Sequence, residues 1–289
     1  MIGLIFISSQ DNVCTNWKVV RAVLNNLAPV PTYLRENDMS IEKRVIRLER
    51  DGPSGSEIPE MECDPADFQS PLPTQHVHVY YSDPAIGLNV GVWDTTTMRE
   101  AFGPYPGDEF IWVLEGEFKM VHDGGDVVPV QKNDCAYFRN GIPTSWHQEG
   151  YLKKFYITYL DPNAETPKIK SAEGGVRVLD PDVEMTSMDT SDPFETESPA
   201  PAQKNHTIFT NDAGNFHVGT WESGPMVSKM LPFPTHEFVR MLDGEVTITE
   251  EDGTAQTFRG GDCFFVPKGT VCSWTIKGHV KKHYAILEV

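Results

Sequence analysis

The chain has 289 residues, and 42 Asp and Glu outnumber 24 Lys and Arg for a formal net charge of −18. A surface that acidic repels phosphate backbones and anionic head groups, so neither nucleic acid nor membrane is an expected partner. At roughly 150 residues per domain the length predicts two domains, and 22 prolines with 23 glycines point to turn-rich β structure.

In chain order, residues 1–38 read as an N-terminal extension. Trp17, Val20, Val23, Leu24 and Leu27 recur at helical spacing within Asn16–Leu27, which predicts one short amphipathic helix. The opening Met1–Ser9 is apolar but lacks the basic flank and cleavage site of a secretory leader, so a cytoplasmic protein is expected. Five cysteines with no CxxC argue against a disulfide framework and against a zinc ribbon.

From residue 39 onward the chain is a duplication. At an offset of 128, Gly91-x-Trp93 falls on Gly219-x-Trp221, and Pro104-x-Pro106-x-x-Glu109-Phe110 on Pro232-x-Pro234-x-x-Glu237-Phe238. Leu114-x-Gly116-Glu117 falls on Leu242-x-Gly244-Glu245, Ser145-Trp146 on Ser273-Trp274, and Lys153-Lys154-x-Tyr156 on Lys281-Lys282-x-Tyr284. Residues 64–160 and 192–288 share 29 identities over 97 ungapped positions. The expected organisation is a first domain at 39–160, a linker at 161–191 and a second domain at 192–289.

Each copy reads as short strands. Phe110–Met120 and Phe238–Thr249 are apolar and β-branched runs interrupted by Glu-Gly and Asp-Gly, which predict tight hairpins. Asp252-Gly253 and Gly260-Gly261-Asp262 predict further turns, followed by a buried strand at Cys263–Val266. Val45–Leu48 and Val176–Leu179 echo each other, so each domain is expected to open with a strand on a sheet edge. Such edges make an exchange of arms in a homodimer plausible. Strands with turns every 8–12 residues predict a sandwich or a closed barrel.

These residues resemble the cupin superfamily, whose motifs are G-x5-H-x-H-x3,4-E-x6-G and G-x5-P-x-G-x2-H-x3-N. Glu109 with Gly116, and Glu237 with Gly244, fit the end of the first motif, while Gly261, Pro267 and Gly269 fit the second. Within the superfamily the pattern is most similar to the branch of ureidoglycine aminohydrolase and the ethanolamine-utilisation cupins. The resemblance implies an all-β fold of two tandem cupin (RmlC-like) jelly-roll barrels. It also implies a metal, Mn, Fe, Ni or Zn, held by three His and one Glu. Here the histidine positions fall within Phe102–Tyr105 and Met230–Phe233, and at Thr144 and Cys272, and none is His. One carboxylate per barrel does not hold a divalent ion, so no metal cofactor is expected.

The candidate site residues follow from strand alternation. Glu109 and Glu237 share a face with Ile111 and Val113, or with Val239 and Met241, the face that lines a cupin barrel. They are candidate acid/base groups or structural carboxylates. Trp146 and Trp274 read as core filling or as stacking walls for a ligand. Thr144 and Cys272 stand at vacated ligand positions, with Cys272 an inert thiol or a nucleophile. Lys154, Tyr156, Lys282 and Tyr284 either point inward, pairing with the glutamates, or form a solvated face. His76-x-His78 is the only His-x-His and reads as surface, and His236 should face away from the barrel interior. The residues favour a pocket that binds a small polar or carboxylated metabolite, with the second barrel as the active copy. Whether a reaction is catalysed stays open. The alternatives are a metal-dependent enzyme of ureidoglycine-aminohydrolase type and a non-catalytic scaffold with both barrels packed shut.

Overall fold

The computed structural model describes residues 43–188, 195–197 and 200–289. The helix expected within Asn16–Leu27 lies outside these residues. Of the described elements nearly all are strands, in two jelly-roll barrels, and no described helix is long and apolar enough to cross a membrane.

In the first barrel, Asp108–Glu115 lies between Cys135–Phe138 and Leu152–Tyr159 in a seven-stranded sheet. A five-stranded sheet containing Phe118–His122 and Pro143–Gln148 closes the other side. In the second barrel one ten-stranded sheet wraps round, because His236–Glu250 and Val271–Leu287 run on without a break.

Alternation along Asp108–Glu115 sorts its side chains. Ile111 and Val113 join Trp146 and Tyr156 in the first barrel's interior cluster, whereas Phe110, Trp112 and Leu114 point outward. That outward face is not solvated. It packs on the corresponding face of the second barrel in a shared cluster containing Phe216, Phe238, Phe265 and Leu287. The repeat mates Phe110 and Phe238 meet edge to face with centroids 5.6 Å apart, and Tyr137 stacks on Phe209 at 4.4 Å. Strands covered on both faces read as near-continuous apolar runs, as these do.

The Glu-Gly and Asp-Gly dipeptides do not make hairpins. Gly116 and Gly244 sit at φ 79° and 80° where the chain turns a corner, and at Gly244 the ladder shifts register inside one continuous strand. A Cβ on Gly244 would lie 1.9 Å from the carbonyl oxygen of His279. These glycines therefore serve bulges that bend a strand from one layer to the next. The turn at Asp252-Gly253 is a hairpin, joining Thr249 to Ala255.

The echoing arms do lie on sheet edges, but crosswise. Ile46–Arg47 pairs with Phe264–Phe265 of the second barrel, and Val176–Val178 with Ala136–Phe138 of the first. Each arm precedes one barrel and covers the edge of the other, an exchange between the two barrels of this chain. Glu250 fixes the first arm, accepting from the Val45 amide at 2.6 Å and from Arg44 Nε at 2.9 Å.

His236 is buried at this interface. Its ring stacks on Phe265 at 6.0 Å and lies 5.6 Å from Tyr81, and its Nδ1 accepts from the Lys268 amide.

Two outcomes are expected. Gly244→Ala should lower stability clearly more than Gly253→Ala, since both carry positive φ but Gly253 has open space where a Cβ would go. The left-handed strain common to both is about 1–2 kcal/mol, and chemical denaturation measures the excess. The second concerns acid. Burial pushes the His236 imidazole down to about 4, so between that value and its ordinary range the unfolded chain binds the additional proton. Its contribution is complete above about pH 6.5 and is lost as pH falls toward 4, at most about 1.4 kcal/mol per pH unit. Denaturation at pH 7 and 4.5 should show a shallower loss in His236→Gln; equal losses would exclude His236 as the titrating group.

Candidate functional site

Each barrel interior holds a buried ion pair. Glu109 on Asp108–Glu115 meets Lys154 on the neighbouring Leu152–Tyr159, with Nζ 2.7 Å from Oε1. In the second barrel Lys282 Nζ lies 2.6 Å from Glu237 Oε1. All four side chains are buried. The inward orientation of Lys154 and Lys282, left open by the sequence, thus brings four of the candidate residues together.

Aromatic rings wall each ammonium. Lys154 Nζ lies 5.1 Å from the Trp93 ring and 5.0 Å from that of Trp146, and Lys282 Nζ lies 4.7 Å from both Trp221 and Trp274. Indole faces attract a desolvated cation and so offset part of the cost of burying it. The repeated Gly-x-Trp now has a physical reason. A Cβ on Gly91 or Gly219 would lie 2.5 Å from the hydroxyl of Tyr156 or Tyr284, so glycine admits the tyrosine while the Trp two residues on flanks the lysine.

The copies differ around this shared core. In the first barrel the Tyr105 hydroxyl donates to the free oxygen of Glu109; its repeat mate is Phe233, which stacks on Trp274. In the second barrel the Tyr284 hydroxyl donates to Asn205 at 3.0 Å and lies 3.1 Å from Thr207. The corresponding positions in the first barrel are Val77 and Val79, and the buried Tyr156 hydroxyl has no hydrogen-bond partner.

A cavity adjoins each pair. The first, about 130 Å³, is lined by Glu109, Lys154, Trp93, Trp146 and Tyr156, with Glu100 and Asp67 in the same lining. The second, about 810 Å³, is lined by Glu237, Lys282 and Tyr284 with Asn205, Thr207 and Thr235. Burial pushes the Glu100 carboxyl up to about 7, with Glu109 and Asp67 acting in the same direction and Lys154 against it. Burial and Glu109 likewise hold the Tyr105 phenol well above its ordinary range.

Other candidates lie elsewhere. Thr144 and Cys272 line neither cavity: Thr144 pairs with His122 and Gly103 in the five-stranded sheet, and Cys272 is packed in the second core. Burial pushes the Cys272 thiol up to about 11, which leaves it protonated and a poor nucleophile at neutral pH. Trp274 contacts Lys282 from within that core and does not line the cavity. His76 Nδ1 bonds Asp94 at 2.7 Å and His78 packs edge-on against Tyr80, both away from the cavities. Sequence reasoning missed Glu100, Tyr105, Trp93 and Trp221 as site residues. The repeated Gly-x-Trp was a usable signal for the two tryptophans, but Glu100 opposes Ser228 in the repeat and carried none.

The residues present do not suit the metal that this fold commonly holds. The motif carboxylates are already engaged by an ammonium 2.6–2.7 Å away, and imidazoles are lacking at the ligand positions. Among the described residues no three His, Cys, Asp or Glu side chains are grouped to hold an ion.

Comparison with known proteins agrees with this architecture. The family model of the EutQ-like cupin domain matches residues 210–284. A search of curated proteins found no match. Among solved structures, a protein of unknown function of the DUF861 family from Pseudomonas syringae pv. tomato is 24% identical, with TM-score 0.69, covering 85% of this chain and 100% of its own. A cupin 2 conserved barrel domain protein from Leptotrichia buccalis is 11% identical over 74% of this chain and 89% of its own, TM-score 0.48. YlbA of E. coli, also DUF861, is 11% identical over 87% and 94%, TM-score 0.47. At 24% identity the likeness to the Pseudomonas protein is one of fold. The chain is folded as cupin jelly rolls, and its residues 210–284 are similar in sequence to the EutQ-like cupin domain.

Proposed function

We propose that this protein binds small polar metabolites inside its barrels, using the caged Lys–Glu pair where other cupins use a metal. The observation that carries this reading is the pair itself, which occurs twice beside a cavity. Burying two charges costs several kcal/mol per ion, and apolar residues of similar volume give equal or better stability. Stability alone therefore does not account for keeping the pair in two copies that differ at most other positions.

An ammonium has three N–H donors, and each lysine uses one on its glutamate, with no second acceptor among the described residues. Two donors remain for a ligand carbonyl or hydroxyl oxygen. The charge of each lysine is already balanced, which favours a neutral polar acceptor over a carboxylate. In the second barrel Asn205, Thr207, Thr235 and Tyr284 add uncharged hydrogen-bonding groups. A scaffold with both barrels packed shut fits poorly with two cavities, and a metal-dependent reaction fits poorly with the donor set.

Substitution separates binding from stability. Lys282→Met should destabilise by about 3–5 kcal/mol, because Glu237 is left buried without its counter-charge. Lys282→Met/Glu237→Leu should regain most of that loss. A thermal-shift panel of small amides, ureides, hydroxy acids and sugars should include compounds that stabilise the parent protein, by about 2.7 kcal/mol at ~100 times Kd. These shifts should vanish in that double variant or in Lys154→Met/Glu109→Leu. Shifts indifferent to both double variants, or a panel without any shift, would overturn the reading.

A further inference from the structure

The two cavities are not electrostatically equivalent. Besides the shared pair, the first is lined by Glu100, so that Glu109 and Glu100 face one ammonium, with Asp67 also in the lining. At the repeat position of Glu100 the second barrel has Ser228, whose hydroxyl is occupied, accepting from the Trp274 amide and donating to the Lys229 carbonyl. Nothing comparable holds Glu100. Its backbone carbonyl accepts from Ser145, but its carboxylate receives no hydrogen bond from any described residue. Lys154, the cation that acts on Glu100, is already held by Glu109.

From this geometry we infer that the first barrel selects a small organic cation, with Glu100 as the counter-charge for its ammonium group and Lys154 as donor to an oxygen on the same molecule. The inference rests on the pocket reading above and adds the charge of the ligand. A carboxylate ligand would add a further negative charge to a wall that already carries an excess, whereas a cation matches it. The cavity volume, near the ~150 Å³ that accommodates a benzene-sized guest, limits the ligand to about six heavy atoms. Its walls suit such a guest: Trp93, Trp146 and Tyr105 present apolar rings, and the buried Tyr156 hydroxyl still lacks a partner. The charge belongs on an organic group, because among the described residues no three His, Cys, Asp or Glu side chains are grouped to hold a metal ion.

The groups facing Glu100 are Lys154, Glu109 and Asp67, with the phenols of Tyr105 and Tyr156 in the same lining. The two phenols stay protonated throughout the neutral range, both being pushed above their ordinary value by burial. Glu100, pushed up to about 7, is the group expected to change charge there.

Three probes of similar size that share a primary amide and differ at the other end test this: β-alaninamide (ammonium), propionamide (uncharged) and malonamate (carboxylate). By calorimetry at pH 8, β-alaninamide should bind at least about tenfold more tightly than propionamide, with malonamate weakest. Between pH 8 and 6 the preference should fall about tenfold as Glu100 takes up its proton. Glu100→Gln should abolish both the preference and its pH dependence, while Glu100→Asp should keep the pH dependence. Malonamate binding as tightly as β-alaninamide, or a preference unchanged in Glu100→Gln, would overturn the inference. Equal binding of all three probes that is lost in Lys154→Met/Glu109→Leu would sink the selection of a cation and leave the pocket reading standing. No binding of any probe, together with a silent thermal-shift panel, would remove both.

Discussion

An ammonium buried against a carboxylate inside each barrel is the constraint that the surrounding residues answer. Neither charge tolerates that position alone, and the surrounding residues are explicable as compensation. Two indoles flank each lysine, a glycine on the neighbouring strand admits a tyrosine, and strand alternation keeps the outward neighbours of the glutamate apolar. The result is a rigid polar centre inside a β shell that would otherwise fill with hydrocarbon. In a fold commonly organised round a metal, a lysine supplies the positive charge from the chain itself, and with it donors rather than an open coordination position.

The barrels are joined by the same economy. Jelly rolls have exposed edges and one broad apolar face each, both hazards in isolation. Here the apolar faces cover one another through Phe110, Phe238 and their neighbours, and each leading arm completes the sheet of the opposite barrel. The two halves consequently cannot separate without exposing strand edges as well as apolar surface. His236 packs in this seam as a neutral ring, which ties the interface to pH.

The two pockets differ around their shared pair. Exchanging Val77 and Val79 for Asn205 and Thr207 satisfies one tyrosine hydroxyl and leaves the other bare; exchanging Glu100 for Ser228 moves a negative charge from one interior only. Tyr105 against Phe233 changes how the shared glutamate is held. On the proposed reading, two barrels with the same Lys–Glu core and different rims take ligands of different charge.

Much of the frame was legible in the residues alone. Duplication at a constant offset is independent of conformation, and period-two alternation along Asp108–Glu115 places Glu109 with Ile111 and Val113 because side chains of a strand must alternate. Absent imidazoles at the motif positions likewise needed no coordinates. What only the tertiary structure decided involves partners distant in sequence. Whether Lys154 points to Glu109 depends on how two strands 45 residues apart are paired. Whether Gly244 makes a hairpin or a bulge depends on the His279 carbonyl beside it, and the destination of each arm depends on an edge in the other barrel. Glu100 stood in an unremarkable polar run, and its environment comes entirely from residues that folding brings across the cavity. Local chemistry sets the pattern along one strand, but a pocket is made by contacts between strands, and those are specified only when the whole sheet closes.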